Sequence, residues 1–369
     1  MSDKPLFNKV AIIGVGLIGG SMGMAMLRKS LAGEVIGVGR NRESLELAVE
    51  YGAINSYSLN NENVSGCDLV IVATPVGTTI DIISSLDPFI GPGTIITDVG
   101  STKAAIVEGS GTVLPSGAVF IGGHPMAGSE REGVNGADPY LFENAFYVLT
   151  PSEGTPRDCV EKMIMLVEGI GAKPIIMNPE EHDLSVASVS HLPHLIAATL
   201  VNSLFDMPGG EKKSLLAAGG FRDTTRIAAG NPDMWRDIFK TNRKFILEAL
   251  NYFRERLDEF QNALAISDEP IIYDLLSRAR TLKNGMPARR KGYLPIYWEI
   301  VVTVPDKPGV IGDIAGILGG SGINISDIEI LRVREGEGGT IRLAFATESE
   351  QEAAVSLLNK EGIPSKKRH

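Results

Sequence analysis

The strongest constraint on the fold lies near the N-terminus, where an apolar run leads directly into a glycine-rich turn. The run Val10-Ala11-Ile12-Ile13 is followed by a helical stretch at residues 17–29. In such a strand–turn–helix unit, glycines with the spacing G-x-G-x-x-G permit a tight turn, let the backbone approach a pyrophosphate and bring the helix against the strand. The helix also directs its first amides and its positive dipole end at the phosphates. The alternative is a glycine turn with a structural role only. The predicted dinucleotide contacts are Gly14, Gly16, Leu17, Ile18 and Gly19.

Further short apolar runs alternate with helical stretches through the first half of the chain. Such runs are typical of parallel strands that are buried on both faces of a sheet. We expect five of these strands at residues 10–13, 35–38, 68–73, 94–99 and 119–121, and two more at the far edge at 145–149 and 173–177. The predicted fold class is therefore α/β, with a mostly parallel sheet of the Rossmann type.

After about residue 179 the pattern changes to long, apolar-rich helices. We expect helices at 187–204, interrupted at Pro193, at 235–262 and at 269–283. Helices this apolar need a covering surface, and a second copy of the chain supplies it most simply, which predicts a homodimer. Residues 284–292 have the composition of a linker. A β-α-β-β-α order follows, which is the start of a ferredoxin-like α+β unit.

These changes predict three domains in a chain of 369 residues. They are a dinucleotide-binding domain over 1–178, an all-α dimerisation and substrate domain over 179–288, and a small α+β domain over 296–369.

Charge and cysteine content exclude several classes of function. The net charge of −10 disfavours a nucleic-acid partner, whose binding depends on cationic neutralisation of phosphates. The basic runs at 289–291 and 366–368 are interpreted as solvated charge. Two distant cysteines predict neither a disulfide framework nor a zinc site and suit a reducing cytoplasm. Residues 10–27 are uncharged, but the five glycines among them favour a buried βα unit over a membrane span or signal peptide.

Two polar residues follow neighbouring predicted strands, at the sheet edge where ligands bind. His124 comes after one strand and Ser101 after the preceding strand. A neutral imidazole at this edge is suited to accept a proton from a substrate hydroxyl while a hydride leaves the same carbon. Ser101 is placed to hydrogen-bond that hydroxyl. The alternatives are a histidine bonded to backbone in a turn and a serine that caps the next helix.

The helical half supplies further candidates. His191 and His194 are three residues apart and can share a helix face, but no carboxylate or cysteine completes a metal ligand set at helical spacing, so we expect no metal. Arg226 is suited to bidentate binding of a carboxylate, and Asp223 to holding an arginine. The alternative for Arg226 is a surface cation on an amphipathic helix. Trp235 is expected in the core.

Six segments of the chain form a recognisable set. They are Gly14-x-Gly16-x-x-Gly19-Gly20-Ser21, Ala73-Thr74-Pro75-Val76, Asp98-Val99-Gly100-Ser101-Thr102-Lys103, Gly123-His124-Pro125-Met126-Ala127-Gly128-Ser129-Glu130, Ser190-His191-Leu192-Pro193-His194 and Gly220-Phe221-Arg222-Asp223-Thr224-Thr225-Arg226-Ile227. Over about residues 8–282 the chain thereby resembles the prephenate/arogenate dehydrogenases of tyrosine biosynthesis. The fourth and sixth segments are the most specific.

The resemblance implies oxidative decarboxylation of prephenate, or of arogenate, which bears an amine where prephenate bears a keto group. It implies that His124 deprotonates the ring hydroxyl, that Ser101 orients it, and that Arg226 and His194 hold carboxylate and carbonyl groups. His124 and Arg226 are accordingly expected to converge over the nicotinamide ring. The remaining substrate-binding candidates in the matching segments are Arg222, Ser129 and Glu130.

The choice between NAD and NADP as cofactor stays open. Folds that bind NAD carry Asp or Glu at the end of the second strand, but here Gly39 stands there and is followed by Arg40. Arg40 is placed to stack on adenine or to meet a 2′-phosphate. The other predicted cofactor contacts follow the strand at 68–73: Thr74, Pro75 and Val76.

The C-terminal unit resembles an ACT domain, an amino-acid-sensing module. Its matching turns lie at 304–309 and 322–325, and the resemblance implies an effector site near them, with tyrosine as the natural ligand. The chain leaves little room for a last strand after Gly362, so a purely dimerising role is the alternative. The implied effector contacts are Asp306, Gly309, Asn324 and Ile325.

Two other classes of protein remain open. A β-hydroxyacid dehydrogenase also places a helical dimer domain after such a sheet, but it would need a catalytic lysine in the helical half. A non-catalytic nucleotide-sensing regulator would keep the glycine turn without needing both His124 and Arg226.

Overall fold

The structure is a computed structural model that describes residues 4–128, 131, 133–285, 298–305, 307–331 and 339–368. The chain divides into two compact units, Met1–Pro287 and Ala288–His369, and each is described by itself. Ser129, Glu130, Asp306 and the basic run at 289–291 lie outside the described residues.

An eight-stranded sheet forms the first unit. Its strands are β1 (Phe7–Ile13), β2 (Ala32–Val38), β3 (Ser56–Ser58), β4 (Leu69–Val72), β5 (Ile95–Asp98), β6 (Val119–Pro125), β7 (Phe146–Pro151) and β8 (Lys173–Ile176). They lie in the order β3-β2-β1-β4-β5-β6-β7-β8. All neighbours are parallel except β6 and β7. The seven expected strands and the fold class are confirmed, whereas the short polar strand β3 was missed.

Helices cover both faces of this sheet. They are α1 (Leu17–Arg28), α2 (Arg42–Glu50), α3 (Thr79–Ser85), α4 (Ala104–Val113) and α5 (Arg157–Gly169). Successive strand residues point to opposite faces, so Val10 and Ile12 join a core with α1, α2 and α5, while Ala11 and Ile13 join a second core with α3 and α4. Each buried aliphatic side chain contributes about 1.5–3 kcal/mol. The two cores therefore fix the strand ends from which the site is built.

A long helix begins the second half of the unit and was predicted only in part. It is continuous from Pro179 to Asp206, with a wider π-helical turn at Ala187–His191. Asn178 caps its start and Pro179 occupies the first turn, so it begins eight residues before the expected position. Pro193 does not interrupt the helix. Proline has no amide N–H to donate, and the π turn just before Pro193 accommodates this missing donor. The helices of this half are α6 (Pro179–Val186), α7 (Leu192–Asp206), α8 (Gly210–Ser214), α9 (Gly219–Thr225), α10 (Pro232–Thr241), α11 (Arg243–Ala265) and α12 (Glu269–Gly285).

The single helix expected at 235–262 is in fact two. α10 ends at Thr241 and α11 begins at Arg243, with Asn242 at φ −106° and ψ 23° between them. The Asn242 side chain is buried and bonded to the long helix, which no periodicity in the sequence could indicate. The helix expected at 269–283 is confirmed and extends over Asn284 and Gly285, which had been assigned to the linker.

Among the described residues, one helix, Pro179–Asp206, has the length and composition that a membrane crossing requires. A core helix of a soluble protein meets the same requirement, so this is weak evidence. His182, Asp183 and His191 on this helix are buried and hydrogen-bonded to other protein groups, as expected of a helix packed within a domain.

The second unit is a four-stranded antiparallel sheet with two helices on one face. Its elements are β9 (Trp298–Val304), α13 (Val310–Gly320), β10 (Asp327–Leu331), β11 (Gly339–Phe345), α14 (Glu348–Lys360) and β12 (Ser365–Arg368). The strands lie in the order β10-β11-β9-β12. Ile300 and Val302 of β9, with Ile341 and Leu343 of β11, pack against the helices.

The last strand corrects the expectation that too little chain remains after Gly362. Four residues suffice, because β12 pairs with β9 along its whole length. The basic run at 366–368 lies in this strand, and Lys367 pairs with Glu352 at 2.6 Å. The unit therefore has the last strand that the sequence pattern did not indicate. Gly309, with φ +94°, directly precedes α13 as its N-cap. Asn324 is exposed after this helix, and the Ile325 side chain packs against the core of the unit.

Gly14 and Gly16 offer a matched test of the glycine turn. Gly14 has φ +93°, and a Cβ placed on it would lie 2.6 Å from the Ala73 carbonyl oxygen. Gly14→Ala should therefore lower the free energy of unfolding by at least about 2 kcal/mol. Gly16 has φ −96°, and a Cβ there would meet nothing within 4 Å, so Gly16→Ala should stay within about 0.5 kcal/mol of the parent. Urea unfolding of both variants measures the two free energies, and equal values would contradict a strained, crowded position at Gly14.

Candidate active site

A cavity of about 250 Å³ lies between the sheet and the long helix of the first unit. Ser101 and His124, the two residues predicted to act together, both line it. Ser101 follows β5, and His124 lies near the end of the neighbouring strand β6. Both are therefore at the sheet edge where α/β proteins bind ligands. The other lining residues are Pro125, Met126, Ala127, Gly128, Val186, Ser190, His191, Met234, Trp235 and Ile238.

His124 is not bonded to backbone in a turn, as the alternative had it; its ring is hydrogen-bonded to a second histidine. Its Nδ1 lies 2.8 Å from Nε2 of His182. Nδ1 of His182 lies in turn 2.8 Å from Oδ1 of Asp183. His182 and Asp183 are buried on α6, which precedes the helix predicted at 187–204. Had the capping asparagine at 178 and Pro179 been recognised as a helix start, the pair would have been placed on a helix, although no local signal indicates the contact with His124.

Asp183 also caps the helix that follows Ser101. Its Oδ1 accepts from the Lys103 amide at 2.7 Å and its Oδ2 from the Ala104 amide at 2.9 Å. Asp183 thus satisfies the first amides of α4 and receives the positive end of that helix dipole. Ser101 does not cap this helix, contrary to the alternative considered for it, so its hydroxyl is not committed there.

A buried ion pair holds the strand ends beneath His124. Asp98 and Lys103 are fully buried and in direct contact. Asp98 also accepts from the Gly100 amide at 2.9 Å and the Gly123 amide at 3.1 Å, and so joins the ends of β5 and β6. Burial lowers the pKa of Lys103, and the adjacent Asp98 opposes that shift. The pair fixes the backbone on both sides of Ser101 and next to His124.

The electrostatic environment keeps His124 neutral. Burial is the main cause that lowers its pKa well below 6.5, and the positive charge of Lys103 acts in the same direction. A neutral imidazole has one unprotonated ring nitrogen and is therefore able to accept a proton at neutral pH.

His191 is held by Asn242, the residue at the break between α10 and α11. The Asn242 amide nitrogen donates to the Asp183 carbonyl at 2.8 Å and lies 3.0 Å from Nδ1 of His191. Burial lowers the pKa of His191 to about 4. Since Nδ1 accepts from the amide, the proton of the neutral ring is on Nε2.

His194 and Trp235 stack against each other next to the cavity. Their rings are 3.6 Å apart and nearly parallel, and Phe239 approaches the tryptophan edge-on. Burial lowers the pKa of His194. Trp235 was expected in the core, but it lines the cavity and is only half-buried. Within the described part of the chain, no group of three or more His, Cys, Asp or Glu side chains is arranged to hold a metal ion.

The two arginines occupy different surroundings. Arg226 begins a short turn, Arg226–Ala229, that packs against α7. Gly230, which ends this turn, lies against the rings of Trp235 and His194. Arg222 is exposed and donates to the Ala217 carbonyl at 3.1 Å. Neither arginine is among the described residues that line the cavity, so the convergence of Arg226 with His124 and the substrate-binding role of Arg222 stay predictions.

The residues predicted for the dinucleotide follow adjacent strands of the sheet. Gly16 stands at the start of α1, whose first amides have no side-chain cap, and nothing lies within 4 Å of the place of its Cβ. Arg40 is exposed after β2. Thr74, Pro75 and Val76 follow β4, where the Thr78 hydroxyl hydrogen-bonds the Thr74 hydroxyl at 3.0 Å. Uncapped amides beside open space are the arrangement that a pyrophosphate needs.

Three family models match consecutive parts of the chain. They are "Prephenate dehydrogenase, nucleotide-binding domain" over residues 22–176, "Prephenate dehydrogenase, dimerization domain" over 178–278, and "ACT domain" over 298–362.

Similar proteins cover most of the chain. The prephenate dehydrogenase of Bacillus subtilis (strain 168) is 37% identical over 95% of both chains. A prephenate dehydrogenase from A. aeolicus, solved in complex with hydroxyphenyl propionate and NAD+, is 32% identical with a TM-score of 0.71, over 76% of this chain and 98% of that one. The arogenate dehydrogenase of Synechocystis is 33% identical with a TM-score of 0.67, over 75% of this chain and 99% of that one.

The buried neutral His191 predicts a specific dependence of stability on pH. Its pKa is 6.5 when unfolded and about 4 when folded, so the unfolded chain binds the proton first as the pH falls. Above about pH 6.5 this group does not change the free energy of unfolding. Between about pH 6.5 and pH 4 it lowers that free energy by about 3 kcal/mol. His191→Gln carries no titrating group there and should show a shallower decrease. Urea unfolding at pH 7.5 and 4.5 measures both slopes, and identical slopes would contradict a neutral buried His191.

Proposed function

Because the chain belongs to the prephenate dehydrogenase family, we propose that it catalyses the oxidative decarboxylation of prephenate to 4-hydroxyphenylpyruvate with NAD or NADP. The observation that carries the proposal is the position of His124, a neutral imidazole in the cavity that Ser101 also lines. Its Nδ1 is engaged by His182, which leaves Nε2 for a substrate.

In the proposed reaction, His124 accepts one proton and later returns it. Nε2 accepts the proton of the ring hydroxyl while the hydrogen on the same carbon leaves as hydride, and the Ser101 hydroxyl orients the reacting oxygen. When bound, NAD or NADP supplies the ring that receives the hydride. Loss of the ring carboxylate as carbon dioxide leaves its electron pair in the ring, which becomes aromatic. The proton on Nε2 then returns to the phenol oxygen, so the reaction releases no net proton.

The carboxylate and carbonyl groups of the substrate are assigned to the helical half. Arg226 and His194 would hold them, and the packing of the Arg226 turn against α7, close to the His194 ring, supports this assignment. A guanidinium suits a carboxylate because two parallel N–H groups match its two oxygens. The further substrate-binding residues in this proposal are Arg222, Ser129 and Glu130.

The cofactor is assigned to the edge formed by β1, β2 and β4. The uncapped amides at the start of α1 would hold the pyrophosphate, and Arg40 would lie at the adenosine end. The open space around Gly16 fits a backbone that must approach phosphate closely. The other proposed contacts are Gly14, Leu17, Ile18, Gly19, Thr74, Pro75 and Val76.

Arogenate is the second candidate substrate. The likeness to the Synechocystis arogenate dehydrogenase favours it as much as the A. aeolicus structure favours prephenate, since the two identities are 33% and 32%. The two substrates differ only in a keto or an amino group on the side chain, so the proton chemistry at His124 is the same for both.

We further propose a cytoplasmic homodimer with domains at 1–178, 179–288 and 296–369. The helical half leaves large apolar side chains uncovered, with Leu215 84% and Leu216 83% exposed, and a second copy would bury them. For the ACT-like unit we propose tyrosine as effector, bound near Asp306, Gly309, Asn324 and Ile325.

The direct test of the activity is formation of reduced cofactor in the presence of prephenate. We expect turnover with prephenate or arogenate, and the four combinations of two substrates with NAD and NADP define both preferences. His124→Asn should reduce kcat by about 10²–10⁴-fold because the general base is lost, while the dissociation constant for the cofactor stays unchanged. No turnover on either substrate would contradict the proposed function. Parent-like turnover in the variant would remove His124 from the mechanism.

The effector proposal has its own measurement. Millimolar tyrosine should reduce the steady-state rate of the intact enzyme, because the proposed product of the pathway would bind the ACT-like unit. Phenylalanine, which lacks only the phenol hydroxyl, is the matched control and should have a weaker effect. Unchanged kinetics at saturating tyrosine would favour a dimerising role for this unit.

A further inference from the structure

Four of the five histidines in the chain lie together around the cavity: His124, His182, His191 and His194. We propose that His182 and Asp183 are positioning residues that hold His124 in the tautomer with its proton on Nδ1 and with Nε2 free for the substrate hydroxyl. The proposal rests on the function assigned to His124 above and names two residues that act through it.

The direction of each hydrogen bond follows from Asp183. Its carboxylate accepts from two backbone amides, Lys103 through Oδ1 and Ala104 through Oδ2. A carboxylate that receives two amide protons is an acceptor, so the contact of 2.8 Å from Asp183 to His182 places a proton on Nδ1 of His182.

The second contact then fixes His124. Two ring nitrogens 2.8 Å apart must share one proton, and it belongs either to His182 or to His124. If it belonged to His182, that ring would carry a full charge at a position that is 1% exposed. The neutral arrangement instead places it on Nδ1 of His124. The remaining nitrogen, Nε2, is then unprotonated, as the proposed reaction requires.

The arrangement also holds the ring in place. His182 and Asp183 lie in the first two turns of α6, and Asp183 is tied to the start of α4, the helix that follows Ser101. The two protein groups that face the substrate hydroxyl are therefore aligned through one carboxylate. A partner that orients the base and sets its tautomer is the role that the acidic residue fulfils in Ser-His-Asp sites.

Other charged and titratable groups surround this chain of hydrogen bonds. Lys103 and Asp98 lie beneath His124 as an ion pair, and the Tyr147 hydroxyl is buried near Asp98. His191 faces it from the long helix. These groups are unchanged in any variant of His182, so a comparison between such variants isolates the hydrogen bond to His124.

Nitrogen-15 NMR of the protein labelled at histidine reads the tautomers directly. Five histidines give ten ring nitrogens, and the variants His124→Asn and His182→Gln assign their signals by subtraction. At pH 7.5 we expect His124 and His182 to be neutral with the proton on Nδ1, and His191 to be neutral with the proton on Nε2. His124 protonated on Nε2, or His182 protonated on both nitrogens, would overturn the proposal. This readout needs no turnover, so it stands apart from any failure of the proposed function.

Two substitutions of His182 then separate positioning from folding. Gln is able to place an amide oxygen near the position of Nε2 and accept the His124 proton, whereas Met fills a similar volume and cannot accept it. We expect His182→Met to lower kcat by about 10–100-fold while KM stays within about twofold of the parent. The decrease in kcat of His182→Gln should be roughly tenfold smaller. Both effects are a fraction of the 10²–10⁴-fold that a general base contributes.

The pH profile provides the readout that a purely structural role would not change. The acceptor on Nδ1 stabilises the imidazolium form of His124, so its loss lowers the pKa of His124 further. The acidic limb of kcat/KM should therefore move to lower pH in His182→Met and stay near the parent position in His182→Gln. Equal kcat losses in both variants with unmoved limbs, in proteins that melt at the parent temperature, would contradict a positioning role.

Discussion

The carboxylate of Asp183 is the interaction on which the site depends. It receives the first amides of α4 from the sheet half and the ring of His182 from its own helix. Asp183, His182 and Lys103 are buried and Ala104 is partly buried, and a buried donor that loses its acceptor costs about 1–3 kcal/mol. The same side chain therefore connects α6 to the start of α4 and, through His182, aligns the imidazole of His124. Stability and geometry cannot be altered separately at this position.

Most of the sheet was predictable because burial on both faces gives parallel strands a simple sequence pattern. A strand that is covered on both faces must be apolar throughout, and β4, whose four residues are all buried, shows this pattern fully. The second unit was predictable for a related reason, since β9 alternates inward and outward residues and β11 is apolar and buried at its end. Its last strand was not, because Lys366 and Lys367 carry no apolar signal and are held by pairing with β9. Edge strands take much of their stability from the neighbour and little from their own composition.

The helical half was predicted less accurately, and its two errors have different origins. The start at Pro179 follows a local cap, in which the Asn178 side chain accepts from the Glu181 amide, and this signal was overlooked. The break at Asn242 is instead set by a polar side chain whose partner, Asp183, lies 59 residues earlier in the sequence. The same applies within the site. His124 and Ser101 were predictable from their place at the sheet edge, whereas His182 became recognisable only once the contact across 58 residues was seen. A local sequence pattern indicates a candidate ligand-contacting residue more readily than it indicates a second residue that positions the first.

The proposed reaction imposes two opposite electrostatic demands, and the fold separates them in space. A substrate with carboxylates requires a cation, but negative charge close to an imidazole favours its protonated form and would disable the base. In this structure burial is the main cause that keeps the pKa of His124 low, and the Lys103 ammonium acts in the same direction. The guanidinium assigned to the carboxylates, Arg226, belongs to a different element packed on α7. If Arg226 binds the carboxylates as proposed, a base kept neutral by burial and a cation on a separate element would let the site accept an anion and still remove a proton.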